Sequence, residues 1–322
     1  MSGGADREDV GQSTQRSPAT EPSTSHGTAD APEHATPSEP VARITYLYLR
    51  LILMTLPALL LLGSVLAFFW LGAIEESVSA YYLGPIRDMF VGVMMGIAAC
   101  LVAYRGASAL EDFSLDVAGF FAIFVALVPT SIGPTLDALD AAARHEMITA
   151  LRATCVTVLV MSVVFVVVEV RFAPSRPAPL NRHRLTRVVA NVMNAVLVMF
   201  VGLVVWRLVE GEDFAGVHVS AAVLLIVNLA IAVASHAWPE LTGGPHASLD
   251  AGRRDLRRRY RLIFWLMVAG APLFGVLHLL GWEYRLLAVE WYEIALFVWF
   301  WALETRRTWA RGLARRQRGA AR

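Results

Sequence analysis

Long uninterrupted runs of apolar residues dominate this sequence, and they restrict its fold more than any other feature. Each run is about twenty residues long, which is the length an α-helix needs to cross a hydrocarbon core of about 30 Å. Only 17% of the 322 residues are charged and 56% are hydrophobic, whereas soluble domains average about 25% charged residues. We therefore predict one all-α membrane domain, a polytopic bundle, rather than two soluble domains.

Eight such runs predict eight transmembrane helices. They cover residues 45–73, 88–104, 115–131, 147–170, 188–209, 217–238, 260–281 and 285–305. The third run is short at its core, and we expect it either to be buried among the others or to be tilted little. Residues 1–43 predict a disordered tail, because a segment so rich in small and polar residues buries too little apolar surface to fold. A transmembrane domain (44–306) and a basic tail (307–322) follow.

The distribution of Arg predicts the orientation of the bundle. The connection 171–187 carries five Arg, the connection 239–261 carries six, and the chain after Glu304 carries seven. Cytoplasmic connections of membrane proteins carry the excess of positive charge, so we predict that both termini are cytoplasmic in the inner (plasma) membrane of a bacterium. We expect the Arg-rich connections and tail to bind anionic lipid headgroups, and we predict no nucleic-acid partner.

A crowded polar segment precedes the second predicted helix and indicates a site. It contains Ser77, Ser79, Tyr81, Tyr82, Arg87 and Asp88. Hydroxyl, carboxylate and guanidinium groups together predict a polar pocket at the extracytoplasmic face, where an Arg binds a carboxylate or phosphate well. The alternative is structural: the two tyrosines belong to an interfacial aromatic belt, and Arg87 pairs with Glu76 or Asp88. Gly92 and Gly96 form a GxxxG motif that predicts close packing of the second helix.

Later helices supply further candidates, because polar groups inside membrane spans are functional-site candidates by default. Glu290 and Glu293 lie three residues apart on one face of the last helix. His218 opens the sixth predicted span, and His278 is expected near the level of Glu290. These residues complete the candidate pocket. The alternatives are interfacial histidines with paired glutamates, and proton-coupled transport through the two glutamates.

A metal site is another alternative for the same side chains. His218, His278 and Glu293 would supply two imidazoles and a carboxylate, which suit a catalytic zinc with an open position. Such a zinc lowers the pKa of its bound water for hydrolysis. The sequence contains neither HExxH nor HxxxH, so these ligands would have to assemble from separate helices. The favoured interpretation predicts no cofactor.

Three segments carry a resemblance to a known family. They are SVSAYYLGPIRDMFVGVMMG at 77–96, YRG at 104–106 and AGFFAIFVALVPT at 118–130. Together they resemble the signature of a family of bacterial multi-pass membrane proteins to which no activity is attached. His218-Val-Ser-Ala-Ala is similar to that family's His-x-x-Ser-Ala, and Glu293 stands where the family has a Glu, although the following residues differ.

A fainter similarity links the chain to the ceramidase-like superfamily of membrane hydrolases. The resemblance rests on the hydroxyl- and acid-rich segment before the second helix and on His residues in later helices. It implies a zinc held by His, and a zinc-dependent amide or ester hydrolase acting on lipid, but the ligand spacing of that group is absent here. Our main hypothesis is a non-enzymatic membrane protein that binds or senses a small ligand or lipid through the pocket.

Overall fold

Every element in the described part of the chain is a helix. The computed structural model describes residues 39–72, 74–84, 86–130, 132–172, 184–210, 214–242 and 254–320. In chain order the elements are α1 (Glu39–Leu71), a 3-10 helix (Ser79–Leu83), α2 (Arg87–Ala103), α3 (Ala109–Leu127), α4 (Ile132–Asp137), α5 (Ala141–Phe172), α6 (Arg184–Glu210), α7 (Val217–Ala237), α8 (Pro239–Thr242), α9 (Arg254–Leu279) and α10 (Arg285–Ala320). The N-terminal tail predicted to be disordered lies outside the described residues up to the start of α1.

Seven stretches are long and apolar enough to cross a membrane, as expected for a multi-pass membrane protein. They are α1, α3 together with α4, α5, α6, α7, α9 and α10. The remaining predicted span corresponds to α2, which has 17 residues and a length of about 25 Å. It is shorter than the other seven, so the count of eight spans stays a prediction, as does the side of the membrane on which the termini lie. The last helix continues to Ala320.

Helix α3 lies at the centre of the bundle, packed mainly between α2 and α7. Within its span 71% of the residues of the most apolar stretch are buried, compared with 6% for α5 and 17% for α6. The prediction that the third span is surrounded by the others is therefore confirmed. Because α5 leaves most of its apolar side chains exposed and α6 about half of them, they form the periphery of the bundle.

The close approach of α2 to α3 depends on a glycine of α3. A Cβ atom at Gly119 would lie 2.6 Å from Cγ2 of Val102 and 2.9 Å from the carbonyl oxygen of Ala98. Small residues allow membrane helices to approach this closely. The GxxxG prediction for α2 is right at Gly96, where a Cβ would lie 2.8 Å from Cδ1 of Leu56 on α1. It is wrong at Gly92, which is exposed and has nothing within 4 Å of a Cβ position.

An aromatic cluster holds α6 against α3. The ring of Phe200 lies 6.1, 5.0 and 5.1 Å, between centroids, from Phe120, Phe121 and Phe124. All three contacts have the edge-to-face geometry that aromatic quadrupoles favour. They connect an otherwise exposed helix to the centre of the bundle.

Candidate functional site

Helix α7 begins and ends with a buried histidine, and each histidine contacts one end of α3. Nδ1 of His218 lies 2.6 Å from the carbonyl oxygen of Val128, and Nε2 of His236 lies 2.9 Å from Oε1 of Glu111. The two histidines are 18 positions apart, or about 27 Å along a helix, which is close to the thickness of the hydrocarbon core. We refer to these two regions as the His218 end and the His236 end.

The end of α3 offers carbonyl groups that have no partner within the helix. The last four carbonyls of any helix lack an intrahelical donor, and Pro129 removes one further N–H just beyond the last turn. Side chains bind two of these carbonyls: the hydroxyl of Tyr82 donates to Leu127 at 3.4 Å, and His218 binds Val128. The Val-Ala-Leu-Val-Pro-Thr segment is thus a docking point for two predicted pocket residues.

The bond to Val128 determines which nitrogen of His218 carries a proton. A carbonyl oxygen only accepts, so Nδ1 must be the donor and the neutral ring presents a lone pair at Nε2. Only 4% of His218 is exposed, and its Nε2 has no hydrogen-bond partner among the described residues. An unpaired buried polar atom costs about 1–3 kcal/mol, which marks this nitrogen as an open binding position.

A cavity adjoins His218. Its volume is about 180 Å³, and its lining residues come from the link after α3, the start of α4 and the start of α7: Pro129, Thr130, Ile132, Gly133, Phe214, Ala215, Gly216, His218 and Val219. Gly216 has a positive φ of 81° and gives the first turn of α7 no side-chain cap. The wall of the cavity therefore includes the buried residue His218 and the uncapped start of α7.

The predicted serines and Glu290 do come together at this end. Oε2 of Glu290 accepts the N–H of Val78 at 2.5 Å, and its Oε1 accepts the hydroxyl of Ser79 at 3.3 Å. The hydroxyl oxygens of Ser77 and Ser79 lie 3.1 Å apart. Glu290 therefore fixes the segment before the 3-10 helix onto the first turns of α10, and the polar groups of this cluster satisfy one another.

The other residues of the 75–88 segment have separate environments. Tyr81 is fully buried; burial raises its pKa, a hydrogen bond with the Glu75 backbone opposes that shift, and the Glu75 charge adds to it. The guanidinium of Arg87 lies 4.9 Å from the ring centroid of Tyr82, so the predicted pairing of Arg87 with a carboxylate is replaced by a cation–π contact. Asp88 is exposed.

Glu293 and His278 lie in different places from His218. Glu293 is 6% exposed and faces α9, where a Cβ at Gly270 would lie 2.1 Å from its Oε1. Its Oε2 has no hydrogen-bond partner in the described part of the chain. His278 is exposed and stacks on Phe274, with centroids 6.1 Å apart. No three His, Cys, Asp or Glu side chains among the described residues are placed to hold a metal, so the zinc alternative has no ligand set there.

The His236 end holds a buried ionic cluster that the sequence analysis missed. His236 lies between two carboxylates: Glu111 at 2.9 Å from Nε2 and Glu304 at 3.5 Å from Nδ1. Glu304 also accepts the hydroxyl of Tyr260 and pairs with Arg307 at 2.8 Å. All five side chains are less than 9% exposed. They bring together α3, α7, α9 and α10.

The YRG motif at residues 104–106 packs beside this cluster. Tyr104 accepts from Arg50 at 2.7 Å and packs edge-on against Trp301 at 5.0 Å between centroids. Arg105 pairs with Asp112 at 3.2 Å and with Glu169 of α5 at 3.3 Å. The motif residue after them is Gly106, where a Cβ would lie 2.6 Å from the Asp112 nitrogen. The contacts of Tyr104, Arg105 and Gly106 therefore give each residue of the motif a structural role.

The sequence feature that could have identified Glu111 is a helix-capping pattern at the start of α3. Ser108 is the N-cap of α3 and accepts the N–H of Glu111 at 3.1 Å, while Glu111 accepts the N–H of Ala107 at 2.7 Å. This Ser-x-x-Glu arrangement resembles a capping box, in which the Glu accepts the N–H of the N-cap residue itself. It positions one carboxylate at the helix start, but nothing in the local sequence indicates that His236, more than a hundred residues later, meets it.

Comparisons with known proteins add no family. The chain matches no protein-family model, no curated protein and no solved structure at a significant level. The two resemblances described above therefore stay predictions. The candidate sites are the two ends of the α3–α7 pair.

Proposed function

We propose that this chain is a multi-pass protein of a bacterial inner membrane that binds a small ligand in the cavity at the His218 end, without carrying out a reaction on it. The observation that carries the proposal is His218, a buried residue of the cavity wall whose Nε2 has no partner among the described residues. A ligand that pairs with this nitrogen recovers the free energy lost by leaving it unsatisfied.

The chemistry of the wall favours a ligand with an O–H group. With Nδ1 donating to Val128, Nε2 accepts a proton or a hydrogen bond. The uncapped first turn of α7 next to it supplies N–H donors and the positive end of a helix dipole. An alcohol fits both groups, since its O–H donates to Nε2 and its oxygen accepts from the helix, whereas an ionised carboxylate has no O–H to donate to this lone pair. An ammonium group fits the imidazole but is opposed by the helix dipole.

The size of the cavity limits the ligand. At about 180 Å³ it is smaller than the roughly 300–1,000 Å³ of sites for drug-sized molecules. A free molecule of a few heavy atoms fits, and so does the headgroup end of a lipid. In the predicted orientation this end faces the extracytoplasmic side.

Equilibrium dialysis of the purified protein with labelled propionate, propanol and propylamine tests the proposal. We expect the alcohol to bind, and the ionised acid, which has no O–H, and the amine to bind more weakly. We expect His218→Ala to lose about tenfold in affinity, the value of one hydrogen bond. The matched control is His278→Ala, which removes an exposed imidazole and should leave binding unchanged. Equal binding to the wild type and His218→Ala, or no binding of any probe, contradicts the proposal.

Lipid nanodiscs distinguish a lipid headgroup from a free molecule as the source of the O–H group. Phosphatidylglycerol carries headgroup hydroxyls and phosphatidylcholine carries none. If the natural ligand is a lipid headgroup, phosphatidylglycerol nanodiscs will displace labelled propanol and phosphatidylcholine nanodiscs will not. If it is a free molecule, both kinds of nanodisc will leave propanol binding intact.

We also propose anionic lipids as partners of the Arg-rich connections. Arg257 and Arg261 have protein partners, Glu240 at 3.4 Å and the ring of Trp238 at 5.6 Å. Arg258 and Arg259 on the same turns of α9 are exposed. Each exposed Arg at the end of a membrane helix contributes about 1 kcal/mol to the binding of anionic headgroups.

A further inference from the structure

The ionic cluster at the His236 end plays no part in the ligand site, yet it is the most completely buried group of ionisable side chains in the described part of the chain. Glu111, His236 and Glu304 are 1%, 8% and 0% exposed. Burying charges is costly unless they are paired. The arrangement therefore has to balance its charges, and the imidazole is the group whose charge is adjustable.

The ring of His236 has a carboxylate oxygen on each of its two nitrogens. Nε2 lies 2.9 Å from Oε1 of Glu111, and Nδ1 lies 3.5 Å from Oε1 of Glu304. A neutral imidazole has one N–H and one lone pair. In the neutral form the lone pair would face a carboxylate, and lone pairs of two acceptors repel. In the doubly protonated form each nitrogen presents a positive N–H to a carboxylate, as an ion pair rather than an aligned hydrogen bond at Nε2.

We propose that Glu111, His236 and Glu304 bind one proton as a unit, with His236 held as an imidazolium between the two carboxylates. The ligand of this second site is a proton, and the site is separate from the cavity at the His218 end. The proton connects α3, α7 and α10 where they meet.

The groups around the three residues fit this assignment. Arg307 of α10 pairs with the second oxygen of Glu304, and Tyr260 of α9 donates to Glu304. Glu304 is thus opposed by Arg307, and the charge of Arg50 on α1, which donates to Tyr104, acts on it as well. Glu111 instead faces the imidazole of His236. Tyr260 and Phe300 flank the imidazole at 5.2 and 5.6 Å between centroids, and aromatic rings stabilise an adjacent cation.

Nitrogen NMR of the full-length protein tests the protonation directly. The protein is labelled with 15N-histidine, placed in lipid bilayers and measured at neutral pH, and the spectrum of His236→Asn identifies the signals of His236. We expect both ring nitrogens of His236 to carry a proton. One protonated and one bare nitrogen would overturn the proposal. A purely packing role for the histidine would not place protons on both nitrogens.

A charge-balance cycle provides the second test, with the thermal midpoint as the readout. His236→Gln leaves the buried carboxylate of Glu111 without its cationic partner, and we expect a fall of at least about 5 °C. Adding Glu111→Gln removes that carboxylate and should restore at least half of the loss. A double variant as unstable as His236→Gln overturns the proposal. His278→Gln is the control, and if His236→Gln does not fold, the NMR measurement on the wild type decides.

Discussion

At the residue scale, several of the predicted pocket side chains bind the protein's own backbone. Glu290 accepts the N–H of Val78, Tyr82 donates to the carbonyl of Leu127 and His218 binds Val128. Each contact satisfies a backbone group that regular secondary structure leaves unpaired, and such groups are costly at membrane depth. What distinguishes His218 from the other two is the nitrogen left over after its backbone bond is made.

Replacing Glu290 tests this anchoring role. Glu290→Leu removes the acceptor of the Val78 N–H and of the Ser79 hydroxyl, and we expect a loss of about 1–3 kcal/mol because those donors lose their partner. Hydrogen exchange at the Val78 amide should become faster, since its bond to the carboxylate is gone. Glu283→Leu, at an exposed position two residues before α10, is the matched control. Unchanged exchange at Val78 in Glu290→Leu would show that the segment is held by other contacts.

At the scale of elements, two kinds of contact bring the helices together. Small residues allow two helix backbones to approach closely, and ionic contacts join the ends of helices. Gly119 sets the distance between α2 and α3, and the His236 cluster ties the ends of α3, α7, α9 and α10. Helices in a membrane gain little from the hydrophobic effect against one another, so close packing and polar contacts decide their arrangement. That is why α5, which has few such contacts, lies at the periphery.

Adding a methyl group at Gly119 tests the close approach. In Gly119→Ala the new Cβ meets the Ala98 carbonyl oxygen at 2.9 Å, and a backbone atom cannot move aside as a side chain does. We expect the thermal midpoint to fall by several degrees, corresponding to about 1–3 kcal/mol for an overpacked core. Gly202→Ala on α6, where a Cβ meets nothing within 4 Å, is the control. It should be neutral or slightly stabilising, because Ala favours a helix more than Gly does.

At the scale of the whole molecule, charged residues are sorted between the two ends of the bundle. Arg50, Arg105, Arg257 and Arg307 make contacts at the His236 end, where Arg258, Arg259 and Arg306 are exposed. Fewer Arg of the described residues belong to the opposite end, namely Arg87, Arg144, Arg152, Arg207 and Arg285. This sorting agrees with the division of Arg that the sequence analysis used. Under the positive-inside rule the His236 end is expected to face the cytoplasm.

Reporter fusions test that orientation. A fluorescent protein that matures only in the cytoplasm should be bright when fused after Arg322 and dark when inserted in the link before α7, at Ala215. An enzymatic reporter that is active only outside the cytoplasm should give the reverse result. Activity of that second reporter after Arg322 would overturn the predicted topology.

The sequence by itself determined the fold class and the positions of the helices. Apolar runs of membrane-spanning length correspond to α1, α3, α5, α6, α7, α9 and α10, because a hydrocarbon core requires such runs whatever surrounds them. It also identified Ser77, Ser79 and Glu290 as polar residues of interest. Their grouping was predictable because a loop that leads into one helix and the start of another lie at the same end of the bundle.

Only the tertiary structure decided which polar residues meet inside the bundle. His236 and Glu111 are distant in sequence, and their contact depends on the antiparallel packing of α7 against α3. His218, His278 and Glu293 were expected in one pocket, but the rotation of each helix about its axis sends them to a cavity, an exposed surface and the α9 interface. Helix rotation is set by side-chain packing between helices, which the apolar runs of a single sequence do not record.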